Sequence, residues 1–244
     1  MVKHDLLGVG GIVNTEDLVS VFERQAEHYD SRWQKVAPVY LGLYFLLESV
    51  FSSLSVKARV LCVGVGTGKE LLYLAAKFPG WRFTAVEPSL AMLDVCRRNA
   101  EAAGIAERCQ FHHGFLDSLP EADNSYDAAT CFLVSQFILN QQDRVAFFEQ
   151  IARKLKLGAI LATADLCADT ESVQYDELLP MWCSFMSGAR ATTEQIDRTK
   201  DAYTRDVAVL SADKVTAIIA AGGFELPVPF FQSGLLQGWF TRRI

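Results

Sequence analysis

The sequence predicts an α/β protein built on a doubly wound, mostly parallel sheet, and three observations carry that expectation. From Arg59 onward short apolar runs alternate with stretches of helical periodicity; the first run breaks into glycines at alternate positions, Gly64, Gly66 and Gly68; and the chain closes on two β-like runs joined by Ser233-Gly234. Such alternation implies right-handed crossovers, which place helices on both faces of a parallel sheet. With 244 residues, half of them apolar, the chain buries one core and carries elaborations rather than forming two independent domains.

The elements follow in order. Residues 1–14 contain Gly8-Val-Gly-Gly11 with no strand before it and no helical pattern directly after it, which reads as a flexible terminus. Thr15-Glu-Asp opens a helix in which Leu18, Val21 and Phe22 share a face, running into Ala26-Glu-His-Tyr29-Asp30. After Pro38, Tyr40, Leu41, Tyr44, Phe45, Leu47, Val50 and Phe51 recur at helical spacing, so two helices precede the sheet.

Val60-Leu61-Cys62-Val63 has the composition of a buried parallel strand. The pattern then predicts strand 59–63, helix 68–78 stopped by Pro79-Gly80, strand 81–86, helix 89–103, strands 108–113 and 126–132, helix 142–156 and strand 159–165. Residues 167–210 break this rhythm. Tyr175, Leu178, Leu179, Trp182, Phe185 and Met186 form a helical stripe ended by Gly188, a pattern used more often for core packing than for a substrate lid. Helix 211–221 ends at Gly222-Gly223, and runs 224–232 and 235–241 form a hairpin that adds antiparallel strand to the sheet, seven strands in all. The chain thus divides into an N-terminal helical cap (1–57), a ligand-binding core (58–166), a helical insertion (167–210) and a closing helix with two strands (211–244).

Composition excludes several functions. No run approaches the ~20 apolar residues of a membrane span, and no basic segment leads into an apolar signal core, so a cytoplasmic protein with no membrane partner is expected. Six cysteines include no Cys-x-x-Cys pair and read as reduced core residues. The pair His112-His113 would point to opposite faces of a strand, and no metal site is expected. A net charge of −6 argues against general nucleic-acid binding and favours a small molecule, while a homodimer stays open.

Glycines at a strand-to-helix turn allow positive φ and let a ligand approach the main chain near the positive end of the helix dipole. A phosphate-cradling loop needs glycine, four residues, then Gly-Lys-Ser/Thr; the matching ends here are Val63 and Glu70, so that reading fails twice. A dinucleotide turn needs its third glycine one residue later than Gly68.

The spacing Gly64-x-Gly66-x-Gly68 resembles the first motif of class I S-adenosylmethionine (SAM) dependent methyltransferases, and this resemblance implies a Rossmann-like core. It also implies SAM as cofactor, S-adenosylhomocysteine as product, and cofactor contacts from Gly64, Val65, Gly66, Thr67 and Gly68. In Ala85-Val86-Glu87-Pro88-Ser89, Glu87 lies 19 residues beyond Gly68 and matches the family's ribose-binding acid, with Pro88 beside it. Met92 matches an apolar contact near the adenine. His113-Gly-Phe-Leu-Asp-Ser-Leu-Pro120 resembles the adenine loop and contributes Phe115 and Leu116, although Phe115 stands where an aspartate is usual and Asp117 is the nearest substitute. Tyr126–Phe132 resembles the fourth strand and Glu149–Leu166 the following helix, Lys-Leu-Lys-Leu-Gly turn and fifth strand. Cys62 departs from the family, which commonly places an acid two residues before the first glycine; the missing polar contact is worth about 1 kcal/mol.

Phe22-x-x-x-Ala26-x-x-Tyr29-Asp30 resembles a signature of small-molecule methyltransferases, where an N-terminal helix closes over the cofactor. This implies a lid and cofactor-contact role for Tyr29, against the ordinary reading of a helix-end tyrosine. Gln136, past the fourth strand, and Asp165, ending the fifth, occupy loop positions facing the expected acceptor, and Asp165 is the candidate to orient or deprotonate it. His28 and His113 are weaker bases. A small-molecule methyltransferase is therefore the leading expectation. Gln136-Phe137, Pro38-x-Tyr40 and Phe230-Phe-Gln232 also resemble carboxy-SAM synthases of tRNA modification, with Arg198 and Arg205 as candidate carboxylate readers. Cys62 and Phe115 support a third reading, a non-catalytic SAM-binding or regulatory protein.

Overall fold

The computed structural model of the chain describes residues 15–120 and 122–244; Gly8-Val-Gly-Gly11 lies outside them. Helix α1 (Thr15–Trp33) passes through a 3-10 turn into α2 (Ala37–Val50), with Pro38 in the first turn of α2, where its missing N–H leaves no bond unmade. The alternating core follows: β1 (Arg59–Val63), α3 (Lys69–Lys77), β2 (Arg82–Glu87), α4 (Leu90–Ala102), β3 (Cys109–His113), β4 (Tyr126–Phe132), α5 (Gln141–Lys154) and β5 (Leu155–Leu166). Then come α6 (Val173–Ser187), α7 (Thr193–Asp206), α8 (Ala212–Ala221), β6 (Val228–Ser233) and β7 (Leu236–Arg242). No helix among the described residues is long and apolar enough to cross a membrane.

The seven strands lie in the order β3-β2-β1-β4-β5-β7-β6. Strands β1 to β5 are parallel, and β7 runs antiparallel to both β5 and β6. The chain winds outward from β1 through β2 to β3, then returns to β1's other side as β4. This reversal opens a crevice beyond the carboxyl ends of β1 and β4.

Burial on both faces explains the unbroken apolar composition of β1. Its side chains alternate: Leu61 and Val63 pack with Phe148 and Ile151 of α5 and Val215 and Ile219 of α8, while Val60 and Cys62 pack with Leu71 and Leu74 of α3 and Leu93 of α4. Below α2, Leu47 and Phe51 close the second layer. Each such buried side chain contributes about 1.5–3 kcal/mol of transfer free energy.

Three boundaries depart from the sequence expectation. Lys154-Leu-Lys-Leu-Gly158, expected as a turn, is the start of β5, because Leu155 is fully buried opposite Tyr126 and the ladder extends back to the end of α5. Helix α7 went unseen because it is polar, with Ile196 and Tyr203 as its main apolar residues; its start was legible as the Thr192/Gln195 capping box. Strand β6 begins at Val228 rather than at 224, and Pro229 sits within it, as an edge strand tolerates.

Candidate cofactor and acceptor site

Each glycine of the turn after β1 has positive φ, at 64° for Gly64, 55° for Gly66 and 85° for Gly68, so each is a place where a side chain is strained. Their surroundings separate their uses. A Cβ on Gly64 would lie 2.4 Å from Val134 and one on Gly68 would lie 2.6 Å from the Cys96 Sγ, whereas one on Gly66 meets nothing within 4 Å. Gly64 and Gly68 are small because the protein packs against them. Gly66 borders open space, the geometry of a main chain that a ligand touches.

That space is a cavity of about 1160 Å³ beyond the carboxyl ends of β1, β2 and β4, roofed by α1 and α2. Gly64, Val65, Gly66 and Thr67 form its floor; Glu87, Pro88 and Met92 line the β2 side, with Phe115, Leu116 and Phe132 around them. Gly68 stands behind this wall as the N-cap of α3.

The Glu87 carboxylate is held by two amides, Gly66 N–H at 2.9 Å and Ser89 N–H at 3.0 Å. Burial pushes its pKa up to about 7 against the pull of those amides. Ser89 in turn caps α4, accepting from the Met92 amide at 3.2 Å. One carboxylate thus joins the glycine turn to the β2 end.

The roof is latched to the same turn. Asp30 at the end of α1 accepts from Thr67 Oγ1 at 2.7 Å and pairs with Lys69 Nζ at 2.8 Å, while Glu23 accepts from the Ala91 amide at the start of α4. Tyr29 lines the cavity, and burial first, then the charge of Glu87, raises its phenol so that it stays protonated. Phe22 packs edge-on against both Tyr29 and Phe137 at ring distances of 6.3 and 5.8 Å.

Asp165 does not face the cavity, which corrects the expectation that it attends the acceptor, whereas Gln136 is buried in the wall of a smaller adjoining pocket of about 70 Å³ that shares Phe22, Tyr29, Tyr40 and Phe137 with the main cavity. Asp165 is fully buried beneath it, accepting from Ser135 Oγ at 2.6 Å, the Gln136 amide at 3.1 Å and Arg144 Nη2 at 3.0 Å. Burial pushes its carboxyl up, opposed by Arg144 and those hydrogen bonds. A carboxylate engaged by three donors and closed to both solvent and cavity neutralises Arg144 and is out of reach of a substrate proton. The Gln136 side chain accepts from the Leu166 amide at 2.8 Å and its carbonyl accepts from the Ala208 amide at 2.7 Å, tying the loop after β4 to β5 and the end of α7.

His28 is exposed on α1, and His113 is exposed with its ring at 3.2 Å from the Pro88 carbonyl; neither lines the cavity. Arg198 pairs with Glu194 away from the cavity, and Arg205 is engaged by Asp206, which lines the cavity; neither arginine is itself a lining residue. Sequence reasoning missed Trp33 and Glu70, saw Tyr44 only as helical periodicity and placed Tyr40 beyond that only in the Pro38-x-Tyr40 resemblance, although all four line the cavity. The four-residue spacing of the two tyrosines was the available signal, since it puts both on one face of α2.

Residues 60–158 match the family model described as "Methyltransferase domain". The methyltransferase GfsG of Streptomyces halstedii is 31% identical over 123 residues, covering 50% of this chain and 43% of that protein. A tRNA (guanine-N(7)-)-methyltransferase of Shewanella baltica is 26% identical over 147 residues, 57% of this chain and 61% of its own. The chain therefore spans less than two thirds of either relative. Among solved structures, the apo form of the SAM-dependent methyltransferase SibL superposes with a TM-score of 0.62 at 16% identity, over 92% of this chain and 58% of that one. Residues 60–158 thus match a methyltransferase domain, and the fold is the one adopted by SAM-dependent methyltransferases such as SibL, whose cofactor is SAM. The residues at hand fit it: an open approach at Gly66, a carboxylate at the β2 end and an apolar cleft between Met92 and Leu116.

Proposed function

We propose that the protein transfers the methyl group of SAM to a small, largely apolar acceptor held beneath α1 and α2. The observation that carries this reading is the large cavity beneath α1 and α2. At about 1160 Å³ it exceeds the ~300–1,000 Å³ usual for one ligand, and it runs from the glycine turn to a wall of Phe22, Tyr29, Trp33, Tyr40 and Tyr44. Bound SAM supplies an already activated sulfonium methyl. The chain's own residues then bind, align and exclude water. Gly66 and Glu87 are the proposed ribose-side contacts, with Pro88, Met92, Phe115 and Leu116 flanking the adenine. Tyr29, kept protonated, is the group placed to donate a hydrogen bond to cofactor or acceptor. The Asp30 latch holds the α1 roof down over both.

Charge restricts the acceptor. Among the described lining residues Asp30, Glu70, Glu87, Asp117, Asp143 and Asp206 are acids, and Lys69, already paired to Asp30, is the sole lysine or arginine. A phosphate-bearing or carboxylate-bearing acceptor has no counter-charge there, so a neutral or cationic aromatic acceptor fits best. This weighs against tRNA, the substrate named for the Shewanella relatives.

Calorimetry with SAM and S-adenosylhomocysteine tests the core of the reading, followed by radiolabelled methyl transfer to a panel of phenols, aromatic amines and bulk tRNA. No cofactor binding at millimolar concentration sinks it, and labelling of tRNA alone replaces the small-molecule acceptor. Binding without transfer to any acceptor supports the non-catalytic alternative that Cys62 and Phe115 suggest. Mass spectrometry of nucleosides carried by the purified protein separates the carboxy-SAM synthase alternative.

A further inference from the structure

Cys62 leaves a gap in the expected chemistry. Its side chain points into the layer under α2, α3 and α4, is fully buried and does not reach the cavity, and burial followed by the charge of Glu70 holds it as a neutral thiol. The end of β1 therefore offers no acid to a cofactor.

A carboxylate does enter the cavity from the other side of the glycine turn. Glu70, in the first turn of α3, lines the cavity while remaining only 8% exposed. Among the described residues no lysine or arginine pairs with it; the adjacent Lys69 is spent on Asp30 at 2.8 Å. Its own amide and that of Leu71 donate to it, yet burial still pushes its pKa up to about 8. The ionisable groups coupled to it are anionic when charged: Glu87 of β2, Tyr29 of α1, Tyr44 of α2, Cys62 of β1, Cys96 of α4 and Cys131 of β4. A buried carboxylate facing a cavity among other acids is a cation site that the protein itself leaves unfilled.

We propose that Glu70 takes the place of the missing strand acid and accepts hydrogen bonds from the ammonium group of the cofactor's methionine moiety. This rests on the reading that the cavity holds SAM. The acid has moved from the strand before the turn to the helix after it, eight residues along from Cys62, so the cavity receives its carboxylate from a different element. A carboxylate suits the task because the ammonium carries three donors and a full positive charge, and the exchange of desolvated charges is repaid only when the pair forms.

The test compares two nucleosides by calorimetry on wild type and Glu70→Gln. S-adenosylhomocysteine carries the ammonium; 5′-methylthioadenosine keeps the adenosine and the sulfur but lacks the amino-acid part. Glu70→Gln is expected to weaken S-adenosylhomocysteine about 10- to 100-fold while 5′-methylthioadenosine stays within about twofold of wild type. Glu70→Asp, which withdraws the carboxylate by one methylene, should fall between. Gln keeps the shape and neutrality of the protonated acid in the unliganded protein, so the variant is expected to fold, and a thermal melt verifies it. Equal losses for both ligands, or no loss for either, overturn the assignment. If wild type binds neither nucleoside, the cofactor reading fails and the assignment falls with it.

Discussion

Replacing Asp165 separates a catalytic base from a structural counter-ion. Its carboxylate is 0% exposed and meets Arg144 Nη2 at 3.0 Å, with Ser135 and the Gln136 amide completing its shell. Arg144 is equally buried and also donates from Nε to Ser135 Oγ at 2.9 Å and from Nη1 to the Ala208 carbonyl at 3.2 Å. Asp165→Asn keeps the shape but leaves the guanidinium uncompensated, a change that costs about 3–5 kcal/mol in buried pairs. With a urea m-value of about 3 kcal/mol/M, the unfolding midpoint should drop by roughly 1–1.7 M. Arg144→Met with Asp165→Leu removes both charges and should recover most of that loss, because the desolvation penalty of the pair disappears with it. Urea unfolding followed by tryptophan fluorescence reads all three proteins. If Asp165→Asn unfolds at the wild-type midpoint while methyl transfer collapses, Asp165 is a catalytic base and the structural reasoning is wrong.

Three further outcomes are expected. Gly66→Ala should cost only about 1–2 kcal/mol of stability, the strain of a Cβ at φ 55°, yet sharply weaken S-adenosylhomocysteine, because its methyl enters open cavity; Gly68→Ala should cost about 2–4 kcal/mol, since its Cβ lies 2.6 Å from Cys96 Sγ. Urea unfolding and calorimetry on both variants check this contrast, and equal stability losses would contradict it. In the unliganded protein, Glu70 is raised from its ordinary 4.5 to about 8, so the folded state binds more protons than the unfolded state between those values. Stability associated with protonated Glu70 is full below pH 4.5 and lost as pH rises to 8, by up to about 4–5 kcal/mol; Glu87, raised to about 7, acts in the same direction. Urea titrations from pH 5 to 8 should show this fall in wild type and a flatter profile in Glu70→Gln, and a rise in wild type would refute it. Asp30→Asn breaks a partly exposed pair with Lys69 and should change stability by less than about 1 kcal/mol, while hydrogen exchange in residues 15–33 accelerates. Unchanged exchange there would show that α1 is held without the latch.

Much of the fold was legible because period and punctuation are local. Val60-Leu61-Cys62-Val63 can be buried on both faces only inside a parallel sheet, and Gly68 followed by Lys69 marks a helix start wherever the chain is read. What escaped depended on partners far along the chain. The start of β5 is set by Leu155 opposite Tyr126, and α7 is held by Tyr203, whose hydroxyl accepts from Trp182 of α6 at 2.9 Å. Asp165 looked like a base because a strand-end acid commonly faces the ligand crevice, and Arg144, 21 residues earlier on α5, turns it inward.

The sequence by itself determined the order of the core strands and helices and the glycine turn after β1, since each follows from residue types at short, regular spacing, and its resemblance to a known family supplied the cofactor expectation. Only the tertiary structure decided which residues of that pattern face a ligand. Packing of Val134 and Cys96 claims Gly64 and Gly68 and leaves Gly66 open, and the same packing buries Asp165 while aiming Glu70 into the cavity. A side chain's direction is set by the elements that close around it, and those elements come from opposite ends of the chain.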